Sequence, residues 1–374
     1  MIDRRTFVSL SLSGIAVTAA FPASPLAAAA MDKRFLFIIQ RGAADGLATL
    51  APLGDPDFAR LRSLHAEESA SGTKLDGLFT LHPAMVQSAA LFKAGQGRFA
   101  HAVASGYRDR SHFDGQNVLE SGGKAPYARD DGWLNRLAGI VPKEEAKALA
   151  FSASVPLVLR GNAPVTSYAP SRFSDEGNTD LMQRVSMLYA EDAQLAPLWQ
   201  SALDTSSMAG TGSGNAKKGA DIGKMLAGLM AGPTGARIAA VETDGWDTHS
   251  QQKARLSRQL GELDALISAY REGMGADWAD SLIVVATEFG RTAAINGTQG
   301  TDHGTASAML LYGGKLGGGG KVQSDWPGLS QSALYEGRDL KPTARFENVV
   351  SDAAASHYGL DPDRVRKALF PDFA

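Results

Sequence analysis

Any chemistry in this chain rests on oxygen and imidazole nitrogen, because its 374 residues include no cysteine. Thiolate nucleophiles and cysteine metal ligands are thereby excluded. Of seven histidines, three share a setting. His112 in SHFDGQ, His249 in DGWDTH and His303 in GTDHG each lie in a loop after an apolar run, with a carboxylate one or two positions away. Imidazole and carboxylate at close range suit metal ligation or proton transfer. His65, His82, His101 and His357 lack acidic company at a strand end and read as structural. Asp45, Asp244, Asp247, Glu288 and Asp302 are the acids of interest, with Arg291 as an anion partner and Ser111 as a hydroxyl nucleophile. Each has a plain alternative. Asp45 before Gly46 makes a turn, Ser111 caps a helix, Asp247 with Thr248 caps the helix that follows, and Arg291 forms a salt bridge. Their common place beside strands is what favours a site.

The elements that must position these residues are legible as apolar runs. KRFLFIIQ (33–40), RFAHAVAS (98–105), LAFSASVPLVL (149–159), ARIAAVET (236–243), SLIVVATEF (281–289) and ASAMLLYGG (306–314) read as buried strands. Helical spacing appears over 81–96, over 250–273, and in ARFENVVSDAAASHYGL, stopped by Gly359; a short helix over 361–369 ends before Pro371. Residues 178–232 read as largely helical with a Gly- and Ser-rich break at MAGTGSGNAKKG. Strands alternating with helices predict an α/β fold with a mainly parallel sheet, in which functional groups gather beyond the carboxyl ends of the strands.

Composition narrows the class. Charged residues at 21% and hydrophobic ones at 44% mark a globular chain. A net charge of −3 with no basic footprint argues against nucleic-acid binding. GGKLGGGGKV lacks the spacing of a phosphate loop, and no H-E-x-x-H or G-x-S-x-G is present. Residues 1–30 read as a cleavable signal peptide. Arg4 and Arg5 precede Phe7, an uncharged apolar run and an alanine-rich end, the order of a twin-arginine signal. The expectation is a periplasmic or otherwise exported protein with no stable membrane span after cleavage, and one domain over 31–374.

RGAADGL, RDRSHFDGQ, DGWLNR, DGWDTH, TEFGRT and GTDHG, in this order, resemble the DUF1501 family. The similarity runs through nearly all of the chain after residue 30. That family comprises exported proteins of unassigned function placed in the alkaline-phosphatase-like superfamily, beside sulfatases and phosphomutases. The resemblance implies a three-layer α/β fold and a dinuclear metal site with a Ser or Thr nucleophile. By position it implies Asp45 as the first metal aspartate, Ser111 as the nucleophile, and Asp247 and His249, with Asp244 in reserve, at the second metal. IVVATEFG departs from the pattern. Where relatives carry an Asp-His pair it has Glu288 and Phe289. His303 then takes the last ligand's place. In a competing alignment Asp302 and His303 are themselves the pair, and the final histidine is missing. His112 either fills the gap or acts as acid or base.

The implied cofactor is a divalent cation: Mg²⁺, Mn²⁺ or Ca²⁺ at an oxygen-rich site of Asp45, Ser111 and Glu288, Zn²⁺ or Mn²⁺ at Asp247, His249 and His303. The implied activity is hydrolysis of small anionic phosphate or sulfate esters, with Ser111 attacking and His112 or Arg291 assisting. Two rivals stand beside it. One is an inactive protein that binds a ligand or partner at the old site. The other is a metal-free serine hydrolase using Ser111 or Ser105.

Overall fold

The structure, a computed structural model, describes residues 32–141, 147–170, 185–189, 192, 195–197, 199–200 and 218–373. Residues 1–30, expected to be a signal peptide, and most of the Gly- and Ser-rich break lie outside the described residues. The main sheet is assembled from β1 (Arg34–Gln40), β5 (Gly97–Ala104), β6 (Ala148–Phe151), β7 (Val165–Ser167), β8 (Ile238–Thr243), β9 (Ser281–Thr287), β10 (Ser307–Gly313), β11 (Lys321–Gln323) and β12 (Ala344–Arg345). Its order is β11-β5-β10-β9-β1-β8-β6-β7, with β12 also on β5. A small second sheet joins β2 (Leu50–Ala51), β3 (Thr73–Lys74) and β4 (Thr80–Leu81). The helices are α1 (Gly46–Thr49), α2 (Phe58–Leu61), α3 (Ser63–Ala70), α4 (Val86–Lys93), α5 (His112–Ser121), α6 (Trp133–Ile140), α7 (Gly219–Met230), α8 (Gln252–Met274), α9 (Phe346–Tyr358) and α10 (Pro362–Leu369).

Period-2 alternation sorts each strand onto two faces. Leu36, Ile38, Ala239, Val241, Ile283, Val285 and Leu310 pack under α4, α7 and α8. Phe35, Phe37, Ile39, Ile238, Ala240, Val284 and Leu311 pack under α6, α9 and α10. The result is three layers, helix on sheet on helix, and every residue of β1, β9 and β10 is buried. Full burial of one such side chain stabilises by about 1.5–3 kcal/mol, so the central strands are the rigid base of the molecule.

The directions of the strands decide where the polar loops go. β9, β1 and β8 are parallel neighbours, in register through Thr287, Gln40 and Thr243. The loops starting at Arg41, Asp244 and Glu288 therefore leave from one edge. β10 runs antiparallel to both β9 and β5. β5 thus ends at that same edge, and β10 begins there. The loop of Asp302 and His303 reaches the site from the start of a strand, where the others leave from strand ends.

Two expected elements differ. The run 149–159 is a strand only to Phe151, and residues 157–159 form a 3-10 turn. Pro156 between them carries no N–H for a ladder and fixes the backbone. The expected helix over 81–96 is confined to Val86–Lys93, because Leu81 pairs with Leu50 in the small sheet. Within 178–232, the described residues include helix at 185–189 and at α7.

Candidate metal centre

Three imidazoles each bring one nitrogen to the Asp247 carboxylate, and the ligand atoms of His112, Asp247 and His303 all lie within 4.8 Å of one another. His112 Nε2 lies 2.9 Å from His303 Nε2, which lies 3.0 Å from His249 Nε2. Asp247 joins them: Oδ1 is 3.0 Å from His249 Nε2 and 3.4 Å from His303 Nε2, and Oδ2 is 3.5 Å from His112 Nε2. His112 arrives at the N-terminus of α5, Asp247 and His249 on the loop after β8, and His303 on the loop before β10.

The opposite nitrogens are all held. His112 Nδ1 is 2.7 Å from Glu288 Oε1, His249 Nδ1 is 3.2 Å from Asp302 Oδ1, and His303 Nδ1 is 3.0 Å from the carbonyl of Arg110. Carboxylate and carbonyl oxygens only accept, so each Nδ1 carries the proton and donates it. The proton assignment follows from that network. A neutral ring tied in this way leaves its Nε2 lone pair facing the next Nε2, a contact that a shared proton or a cation between them relieves. Fixing one ring nitrogen by hydrogen bond so that the other can ligate is the usual orientation of metal-binding histidines.

The charges suit a divalent cation. Asp247, Glu288 and Asp302 surround the imidazoles, and the Arg291 guanidinium offsets only one of them. Two negative charges remain. Ligands about 2.0–2.1 Å from tetrahedral Zn²⁺ sit about 3.3 Å apart, and the separations among His112, His303 and Asp247, 2.9, 3.4 and 3.5 Å, bracket that value. The donor set fits a cation that accepts imidazole.

The titrations follow the same contacts. Hydrogen bonding to Glu288 raises the His112 pKa, while burial, with the charges of His112 and Arg291, lowers that of His303. Burial opposes ionisation of Asp247, yet the Arg291 guanidinium holds it below the usual carboxylate range. Glu288 is held low against its burial by His112 and the Gly42 amide, and Asp302 by Asn296 first.

Close backbone approach makes the loops fit. Gly42 has φ +113°, and a Cβ there would lie 2.6 Å from the Asp247 amide nitrogen. Gly290 would place a Cβ 1.8 Å from the Ala306 carbonyl. Ala43, Arg110, Gln251 and Gln299, all in these loops, have positive φ without being glycine. Such residues cluster where a surrounding structure over-determines the backbone.

The residues singled out in the sequence divide into those that meet and those that do not. His112, Asp247, His249 and His303 meet. Glu288 and Asp302 stand behind them as hydrogen-bond acceptors. Asp45 is committed elsewhere. Its carboxylate caps α1 through the Leu47 and Ala48 amides and accepts from Arg62 at 2.5 Å and Gln252 at 2.5 Å. Burial opposes its ionisation and Arg62 holds its pKa low. The oxygen site expected from Asp45, Ser111 and Glu288 is thus not assembled: a guanidinium occupies the acid of one and an imidazole the acid of another. Asp244 is exposed, and its carbonyl accepts from Gln259. Arg291, expected to face substrate, is 1% exposed and gives its donors to Asp247 Oδ1, Thr301 Oγ1 and the Thr301 carbonyl. Its position is that of an internal salt bridge. Ser111 is the N-cap residue of α5, but its side chain makes no capping hydrogen bond. Ser105 accepts from the Tyr107 amide. Among the described residues no histidine nitrogen is hydrogen-bonded to either serine, which leaves a serine–histidine pair without geometry.

Phe289 stands where the resemblance has an imidazole. Its ring stacks on His112 at 5.1 Å and lies 5.3 Å from His303, walling the cluster. His112 supplies the third imidazole in its place. Sequence reasoning missed Arg62, Gln252 and Thr301, and took Thr248 only as a helix cap, since buried partners of a loop carry no motif. The one signal was the polar run THSQQ ending at Gln252.

Comparison with known proteins gives the following. Over 91% of this chain and 87% of the other, the fold is similar to the C-terminal periplasmic domain of EcEptC from Escherichia coli in complex with Zn, at 10% identity and a TM-score of 0.41. Alkaline phosphatase from the Antarctic bacterium TAB5 is similar over 78% of this chain and 94% of the other, at 11% identity and a TM-score of 0.38. Ps i-CgsB in complex with k-i-k-neocarrahexaose is similar over 91% and 76%, at 10% identity and a TM-score of 0.41. No curated protein matches in sequence. The family model described as protein of unknown function DUF1501 matches residues 32–369, and the chain belongs to that family.

Proposed function

We propose that this is an exported, hydrolase-like protein that holds one divalent cation at His112, His249, His303 and Asp247 and acts on phosphate or sulfate esters. The observation that carries the proposal is the convergence of three lone-pair-bearing Nε2 atoms on one carboxylate, each ring tied at Nδ1. An imidazole-rich set favours Zn²⁺, with Mn²⁺ next. The ester class rests on the motif resemblance, and export on the paired arginines of MIDRRTF.

A cation bound there supplies Lewis acidity toward an ester oxygen. The chain's own residues do the rest. The first N–H groups of α5 have no partner within the helix and favour an anion. Ser111, at that terminus, has an extended backbone and a hydroxyl not engaged in capping. In the reaction its Oγ bonds to phosphorus or sulfur, the bond from that atom to the ester oxygen breaks, and the alcohol leaves with the serine proton. Water then releases the anion from Ser111. Arg291 holds Asp247, and Phe289 keeps solvent from one side of the imidazoles.

One observation favours a second reading, a cation-holding protein that binds without turnover. Arg62 closes off Asp45, so the second cation of a dinuclear hydrolase has no free carboxylate there. A panel of phosphate and sulfate esters, assayed with Zn²⁺- or Mn²⁺-loaded protein, separates the two. The hydrolase reading expects turnover that Ser111→Ala reduces at least 100-fold with the cation still bound. No turnover by loaded protein leaves the second reading, and unchanged rates in Ser111→Ala remove the nucleophile.

A further inference from the structure

Behind the cluster runs a chain of hydrogen bonds in which every member is buried. Arg291, which holds Asp247, donates through Nε to Thr301 Oγ1 at 3.1 Å. Thr301 Oγ1 donates to Gln252 Oε1 at 2.6 Å, and Thr248 Oγ1 donates to the same oxygen at 2.7 Å. Gln252 Nε2 donates to Asp45 Oδ2 at 2.5 Å, and Arg62 donates to both oxygens of Asp45. Thr248, Thr301 and Gln252 are 0% exposed, as is Arg62; Asp45 and Arg291 are each 1% exposed.

The direction of this chain is fixed by chemistry. A carboxylate only accepts, so Asp45 takes the Gln252 amide nitrogen and turns its oxygen toward the two hydroxyls. Those hydroxyls must donate to that oxygen, which leaves Thr301 Oγ1 able to accept from Arg291. No member can reverse without stranding a buried donor or acceptor, at about 1–3 kcal/mol each. Thr248 lies between Asp247 and His249 in the chain, and Thr301 beside Asp302 and His303. One amide thus fastens the two loops that bring three of the four ligands. The Arg62–Asp45 pair anchors the far end as an internal cation does, by a fixed positive charge on a buried carboxylate.

We propose that Gln252 is a positioning residue for the cation site, locking Asp247, His249 and His303 into one arrangement through Thr248, Thr301 and Arg291. The inference rests on the cation-site reading above and assigns Asp45, with Arg62, to the support of that site. Gln252 touches neither cation nor substrate.

The test measures Zn²⁺ affinity of the whole folded chain by competition with a chromogenic chelator. Gln252→Met keeps the volume and removes the polar atoms; Thr301→Val cuts the same chain one link nearer the site and is the gentler change should Gln252→Met fail to fold. Each is expected to weaken Zn²⁺ binding about 10- to 100-fold. The double variant should bind no more weakly than the worse single one, since both cut one series of bonds. Ser88→Ala removes an equally buried hydroxyl from a separate network with Asp264 and Tyr312, and should lower stability with affinity unchanged. Folded variants that bind Zn²⁺ as the wild type does would overturn the positioning role alone, as would losses that simply add in the double variant. A wild type that binds no Zn²⁺ would overturn this inference together with the site reading.

Discussion

Each imidazole of the cluster has two nitrogens with separate tasks, and only their partners show which is which. Glu288 is buried and Asp302 is largely exposed, so the two acceptors are unequal. Interactions in the low-dielectric interior are less screened. Glu288→Gln is therefore expected to weaken cation binding about 10- to 100-fold, and Asp302→Asn distinctly less. Chelator competition on both variants checks the order; equal losses would contradict it. Asp247, His249 and His303 were legible in the sequence, because short loops between apolar runs carried acid and histidine together. His112 was left open between ligand and acid or base, and a sequence carries nothing on how a ring is turned. The Arg62–Asp45 pair was not legible. Arg62 is seventeen residues from Asp45, in no motif, and a sequence does not show which buried charge meets which.

Elements were read best where burial is complete on both faces. β1, β9 and β10 appear in the sequence as unbroken apolar runs because helices cover both sides of the sheet. The two-residue strands of the small sheet left no periodic signal, and the direction of β10 had none either. That direction matters most for the site, since it delivers His303 to the edge where the parallel strands end. The loops at that edge approach so closely that side-chain atoms are excluded. Gly42→Ala is expected to cost about 1–3 kcal/mol from the positive φ, plus a clash with the Asp247 amide. Urea unfolding should show the loss, and chelator competition a weaker site. Wild-type stability in that variant would contradict the close approach.

At the scale of the whole molecule, composition correctly marked a globular chain, and no helix among the described residues is long and apolar enough to cross a membrane. Four histidines outside the site tie stability to pH. Burial lowers His65, His82 and His101 to about 4 and His357 to about 3. Unfolded, each titrates near 6.5. Their folded pKa values are depressed, so the unfolded chain binds more protons below that pH. The stability they allow is fully present above about 6.5 and falls as pH drops toward 4, by up to about 1.4 kcal/mol per unit for each group. Urea midpoints at pH 7.5, 6 and 5 should decline with growing slope, and a flat profile would contradict neutral buried imidazoles. The central claim is a single cation at His112, His249, His303 and Asp247, and its most direct measurement is metal content. Protein purified without chelator and analysed by plasma mass spectrometry should carry close to one Zn²⁺ or Mn²⁺ per chain, lost in His303→Ala. Folded wild type that holds none, even after incubation with Zn²⁺ and with Mn²⁺, would contradict it.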